Sequence, residues 1–252
     1  MYRVLPATTY AQAMRLADTP VPARAGGSAE AVQAGSVPAG TVPAGPGLAA
    51  SDGPFAAAVA ALAAGRDAVT EVRDDLDLED WPAPKRLAPH AVALAVTAYR
   101  DGEEAGTGRL ILLHDPAGQE GWTGTFRVVA HVHADVEEEM AADPLLGEVG
   151  WSWLTDALDL HASGYGAPSG TVTRVITEGY GAKAEEPLAT GFELRASWCP
   201  DDDEVEDEVC GAVLAWCDVL AAAAGLPAQP PGTRALGRRG GHGSAAGGRR
   251  HR

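Results

Sequence analysis

The stretch GWTGTFRVVAHVHADVEEEMAADPLLGEVGWSWLTDALDL, residues 121–160, decides how the chain is read. From Trp122 to Ala134 it alternates. Phe126, Val128, Ala130, Val132 and Ala134 take the even positions. Thr125, Arg127, Val129, His131 and His133 take the odd ones. A period of two predicts a strand with an apolar inner side and a polar, solvent-facing outer side. An acidic turn follows. Asp143-Pro144 then predicts a helix start, with aspartate as N-cap and proline at N1. To Leu160 one stripe holds Leu146, Val149, Trp153, Ala157 and Leu160, and a second holds Trp151, Leu154 and Leu158. A helix apolar on two sides is either deeply buried or part of an interface.

Upstream, Ala91–Arg100 and Gly108–His114 read as strands, joined by a turn opening at Asp101-Gly102. Asp115-Pro116-Ala117-Gly118 supplies the next turn. The three strands form an antiparallel meander. Before them, Phe55–Ala64 reads as a helix ended by Gly65, Ala68–Val72 as a short strand and Asp74–Asp80 as an acidic loop. The proline-rich run from Trp81 to Pro89 reads as surface chain pinned by Trp81 and Leu87. Downstream, a loop at His161–Pro168 leads to strands at Thr171–Tyr180 and Ala189–Trp198. Asp201–Glu208, seven acids in eight residues, leads a last helix to Ala224. The element order is α-β-β-β-α-β-β-α. It predicts an α+β domain over 54–227, an antiparallel sheet of about five or six strands with helices packed on it, an order shared with secretion-chaperone-like folds. Residues 1–53, rich in Ala, Gly and Pro with a repeated Val-Pro-Ala-Gly at 37 and 42, and the Gly/Arg-rich tail 228–252 lack core-forming side chains and are expected to be disordered.

Charge is distributed unevenly. The chain carries a net −16; residues 54–232 hold 10 bases and 32 acids, a net of −22, while 233–252 hold six arginines and no acid. A field of that sign disfavours polyanions and anionic membranes, leaving the Arg-rich tail (Arg234, Arg238, Arg239, Arg249, Arg250, Arg252) as the one place suited to nucleic acid. It suits a basic partner, or serves solubility alone. Three cysteines without C-x-x-C spacing fit a reducing compartment, with Cys210 and Cys217 as small core side chains. The N-terminus has no apolar signal region, and the longest alanine-rich run is shorter than the ~20 residues a bilayer requires. The expected location is the cytoplasm.

Four constellations bear on chemistry. His131-x-His133 places two imidazoles on one side of a strand, as two metal ligands need, with Asp135 or Glu137–Glu139 as carboxylate candidates. The plainer reading is a polar strand side followed by a solvated charge run. His114-Asp115, with Gln119 and Glu120 opposite, could form an acid/base pair, although turn chemistry accounts for the same residues. Gly179-Tyr180-Gly181-Ala182-Lys183-Ala184 mimics a dinucleotide fingerprint without the helix it requires. No nucleophile elbow or phosphate loop occurs; Ser152, Ser163 and Ser169 have no identifiable base, and no cofactor is expected. Trp151 and Trp153, two apart on a helix, point in different directions: one into the core, the other into the core or a groove or subunit contact.

Seven segments carry a family likeness: Pro84–Pro89, Leu112–Glu120, Trp122–Arg127, Met140–Leu146, Gly150–Thr155, Ser169–Arg174 and Arg195–Trp198. Through them Pro82–Gly225 resembles an uncharacterised actinobacterial family, domain of unknown function 3000. The resemblance implies a lineage and brings no catalytic residue with it. Charge, the two-sided helix and the lack of a catalytic set together favour a non-enzymatic acidic binding or adaptor module, dimeric, for a basic or extended protein partner. Trp151 and Trp153 are its candidate binding residues. The alternative is a metal-dependent or acid/base enzyme centred on His131 and His133.

Overall fold

A computed structural model describes residues 53–162 and 164–228. The segments expected to be disordered lie outside the described residues but for Gly53 and Ala228, and so do the tail arginines and Ser163. The elements are α1 (Pro54–Val72), β1 (Leu76–Trp81), β2 (His90–Arg100), β3 (Glu103–His114), β4 (Phe126–Asp135), α2 (Glu138–Ala142), α3 (Leu146–His161), β5 (Tyr165–Thr177), β6 (Ala189–Pro200) and α4 (Val205–Ala223). The six strands form one antiparallel sheet in the order β1-β2-β3-β4-β6-β5. This is the expected α+β architecture, with one more strand at the front and a short extra helix in the middle.

The meander follows its sequence pattern. Asp101 and Gly102 both take positive φ (55° and 87°), the conformation of a tight hairpin whose twist matches the strands it joins. The even positions of β4 face inward with Leu94, Val96, Leu110 and Leu112 and with Phe192, Leu194 and Trp198 of β6. On this face α4 lies against the sheet, with α1 and α3 packed on α4. Thirteen of the 19 residues of α4 are buried, and Trp216 Nε1 donates to the His131 carbonyl at 3.1 Å.

The chain departs from its sequence reading where packing overrides local signals. Gly65 does not end α1; the helix runs on to Val72, absorbing the strand expected at Ala68–Val72. The glycine is there for contact. A Cβ at Gly65 would lie 2.9 Å from Val213 Cβ and 3.0 Å from the Cys210 carbonyl, so its absence lets α1 close on α4. The acidic loop expected at Asp74–Asp80 is mostly strand β1: Leu76 is buried, Leu78 packs against the core, and the acids sit on a sheet edge, where charge is tolerated. Asp143 is not the N-cap of the long helix. It follows α2, and its Oδ1 accepts from Leu145 N at 2.8 Å in a turn before α3 begins at Leu146. Nor is α3 buried along two stripes. Leu146, Gly150, Leu154, Ala157 and Leu158 are buried, whereas Val149 and Leu160 are exposed. Strand β5 starts at Tyr165, inside the expected loop, because an irregularity between Gly166 and Ser169 lets pairing with β6 resume.

The two kinds of helical glycine give opposite mutational outcomes. Gly65→Ala should destabilise by about 1–3 kcal/mol through overpacking. Gly147→Ala, in α3 with nothing within 4 Å of its Cβ position, should stabilise by up to about 1 kcal/mol. Denaturant unfolding of the two variants beside the parent measures both.

Candidate functional site

The sheet's other face carries the odd positions. Its β2–β3 end is apolar: Ala93, Ile111, Leu113 and Val129 form a satellite core with Leu87, which is buried as expected, and Trp81, which is half-buried. The guanidinium of Arg109 lies 4.5 Å over the Trp81 ring. Toward β6 the face becomes polar. One register row runs Ala95, Arg109, His131, Arg195, Thr171; the next runs Thr97, Thr107, His133, Glu193, Thr173.

These rows bring Glu193 to His131. His131 Nε2 lies 2.9 Å from Glu193 Oε1, and Arg195 Nε donates to the same oxygen at 2.9 Å. His131 is buried, not solvent-facing as its strand side predicted, because β6 supplies a carboxylate and a guanidinium over it. His133 is half-buried and stands 3.9 Å from Asp135. The histidines therefore engage different carboxylates. Among the described residues no group of three or more His, Cys, Asp or Glu is placed to hold a metal ion.

The His114-Asp115 pair also separates. Asp115 Oδ1 accepts from Ala117 N at 3.1 Å and Oδ2 from Gln119 Nε2 at 3.1 Å, which is turn chemistry. His114 instead stacks on Phe126, with ring centroids 4.3 Å apart, and lies among Phe55 and His90. Burial, then the neighbouring His90, holds its pKa below the usual 6.5, and among the described residues its Nδ1 has no hydrogen-bond partner. No α-helix follows Gly179-Tyr180-Gly181, only a single 3-10 turn at Gly181–Lys183.

Trp151 and Trp153 both pack against the core from α3. Trp153 tilts against Phe192, centroids 5.5 Å apart. Trp151 lies on β5, where a Cβ at Gly170 would come within 2.6 Å of its ring. Beside them the surface is apolar and open. Arg174 of β5 donates to the Asp143 carbonyl at 2.8 Å, tying the strand to the start of α3, where Leu145 and Val149 are 58% and 40% exposed. On the strand itself Val175 and Ile176 are exposed.

The sheet's two edges differ. β1 has six residues, three of them acidic: Asp77, Glu79 and Asp80. β5 has 13 residues and a single charge, Arg174, and from Pro168 to Thr177 every residue but Val172 is exposed. That contrast was missed in the sequence because the acid-rich stretch read as loop, leaving the sheet with the wrong first edge.

A cleft of about 380 Å³ opens where β4 and β5 begin and β6 ends, between Thr123-Gly124, Gly164–Gly166 and Cys199–Asp203. The acid run at its rim is tied to backbone. Asp202 Oδ2 accepts from Thr125 N at 2.8 Å, Asp201 Oδ1 from Asp203 N at 3.1 Å, and buried Glu208 Oε1 from Gly164 N at 2.6 Å.

The Glu193 cluster sets a pH dependence. Burial raises the carboxyl's pKa, but the hydrogen bonds and charges of His131 and Arg195 outweigh burial and leave it below the usual 4.5. A carboxylate with a depressed folded pKa contributes stability above its unfolded pKa and loses it as pH falls through the folded one. The stability difference between the parent and Glu193→Gln should therefore shrink as pH falls below 4.5. Urea unfolding at stepped pH measures it; a difference that grows on acidification would contradict this account.

No curated protein and no solved structure matches the chain. The family described as "Protein of unknown function (DUF3000)" matches residues 52–233, the whole of the sheet and its helices. The chain belongs to the DUF3000 family.

Proposed function

We propose that this protein is a non-enzymatic binding module of an actinobacterial cytoplasm, and that it takes an extended segment of a protein partner as an added strand along β5. The observation that carries this reading is the asymmetry of the sheet's edges. Folded proteins suppress edge pairing with short strands, charges and bulges. β1 has the first two devices, with three acids in six residues. β5 keeps its irregularity at one end, between Gly166 and Ser169, and leaves the nine residues Ser169–Thr177 in regular register with β6. An added strand gains main-chain hydrogen bonds there, and side-chain pockets supply specificity.

The surroundings suit a partner whose uncharged core segment is flanked by basic residues. Exposed Leu145 and Val149 border the strand, and Ile176 is exposed on it. Beyond them stand exposed Glu138, Glu139 and Glu148 on one side, and Glu178, Glu185 and Glu186 past the strand's end. A second copy of the chain is the other occupant of this edge. Trp151 braces β5 from behind at Gly170, and Trp153 packs against Phe192 of the neighbouring β6. Among the described residues no helix is long and apolar enough to cross a membrane.

A photo-crosslinking residue at Thr173 should capture an extended polypeptide segment in cells, while the same residue at Asp77 on β1 should not. Thr171→Lys with Thr173→Lys blunts the edge and should weaken capture at least about tenfold, some 1.4 kcal/mol, with the fold intact by circular dichroism. Equal capture at both edges, or capture indifferent to the lysines, would remove the basis of this reading. Crosslinks joining two copies of the chain would identify a homodimer as the occupant.

A further inference from the structure

Four rings close one end of the helix-side core. Phe55, in the first turn of α1, meets His90 at the start of β2, with centroids 5.2 Å apart, and His114 at the end of β3, 5.7 Å away. The two imidazoles are register partners and lie 5.5 Å apart. His114 then stacks on Phe126 at the start of β4, 4.3 Å away. Phe126 and His114 are buried, Phe55 is half-buried and His90 is exposed.

The stack anchors the first turn of α1. Gly53 offers that turn no side-chain cap, and from Ala56 to Ala61 Val59 is the only side chain larger than a methyl group. A helix end without a cap and with few buried apolar contacts opens at little cost. The stack also accepts only uncharged rings. His114 Nδ1 is buried and has no hydrogen-bond partner among the described residues. Without a proton it is an unfilled acceptor; with one it becomes a buried donor on a cation that has no acceptor to meet. His90 faces it, so a proton on either ring sets a charge against the other. Burial and His90 both oppose charge on His114, and the carboxylates of Asp202 and Asp115, which favour it, act more weakly. α1 carries no titratable side chain before Arg66, and Arg127 of β4 lies on the sheet's other face, paired with Leu113.

We propose that the Phe55–His90–His114–Phe126 stack is a proton-sensitive latch: with neutral rings it holds the first turn of α1 on the sheet, and protonation of His114 releases that turn. A histidine whose charged form is disfavoured in the folded state contributes stability above its unfolded pKa, 6.5, and loses it as pH falls through the lower folded value. The loss falls on the first turn because the rest of α1 is held independently. Ala58, Ala61, Leu62, Gly65 and Val69 are buried, with Gly65 against Val213 of α4. Opening uncovers Phe126 at the end of the core and leaves β5, at the far edge of the sheet, paired with β6. The window opens below 6.5, before the contribution of Glu193 is lost below 4.5.

Hydrogen–deuterium exchange of the full chain, one pH unit above and one below 6.5 and corrected for the intrinsic pH dependence of amide exchange, reads the latch directly. Protection of the amides Ala57–Val59 should fall by about three- to tenfold on acidification, tenfold being the linkage limit for a group one unit below its free pKa. Protection of Asp67–Val72, at the other end of the helix, should stay level. His114→Phe keeps an aromatic ring in the stack without its proton and should cut the response to less than about twofold. Phe55→Ala should leave the first turn open at both pH values. If His114→Phe does not fold, the imidazole signals of the parent carry the test: the His114 ring should titrate below 6.5, in step with the loss of protection. Equal protection at both pH values, a response that survives His114→Phe, a His114 ring that titrates at or above 6.5, or parent-like protection in Phe55→Ala above 6.5 would each overturn the proposal.

Discussion

The close crossing of three helices at α4 is the constraint on which the rest of the molecule depends. α4 is apolar on nearly every side, so it is stable only when enclosed. The sheet encloses it from below and α1 and α3 from the flanks. Enclosure requires backbones to approach closely, and small residues make room. Gly65 admits Val213, Gly108 lies under the Trp216 ring, and Gly211 faces the carbonyl that ends α3. The Trp216 indole then finds its acceptor in the His131 carbonyl, which fixes α4 to the central strand that carries the polar residues on its other side. The site residues of β4 and the helix layer thus share one strand.

Placing every helix on one face of the sheet gives the other face a different composition. Part of it is closed by the Trp81–Pro89 chain and becomes a small second core. The remainder holds the arginines of β3, β4 and β6, and the same face carries the carboxylates Asp77, Glu79 and Glu193. In a domain of net −22, this face sets bases and acids side by side, as in His131, Glu193 and Arg195. Net charge therefore describes how the molecule behaves at long range, whereas the sheet face decides what happens at contact distance.

Local signals in the sequence were enough for the meander and for the general α+β order. Alternation in Val92–Ala98 and Phe126–Ala134, with Asp101-Gly102 between strands, needs no distant information. What was not legible depended on partners far along the chain. Gly65 reads as a terminator until Val213 is known to lie against it. Asp77 and Glu79 read as loop because β-propensity says nothing about position in the sheet. His131 reads as solvent-facing because Glu193 and Arg195 reach it only through the register of β4 with β6. The burial of Arg127 is of the same kind: its acceptors come from three residues, Ser169, Ser197 and Cys199, all more than forty positions downstream.

The acidic edge at β1 has a consequence for how many chains can join. Growth of a sheet into a fibre needs two adhesive ends, since each new member must offer an edge to the next. Here one end is charged and short and the other is open, so the sheet has a valency of one. Whatever pairs along β5, whether another protein's segment or a second copy related by a two-fold axis, completes the sheet rather than extending it. Under the proposed pairing along β5, the molecule acts as a terminator of edge-to-edge association, and losing the acids of β1 would open the second edge to growth.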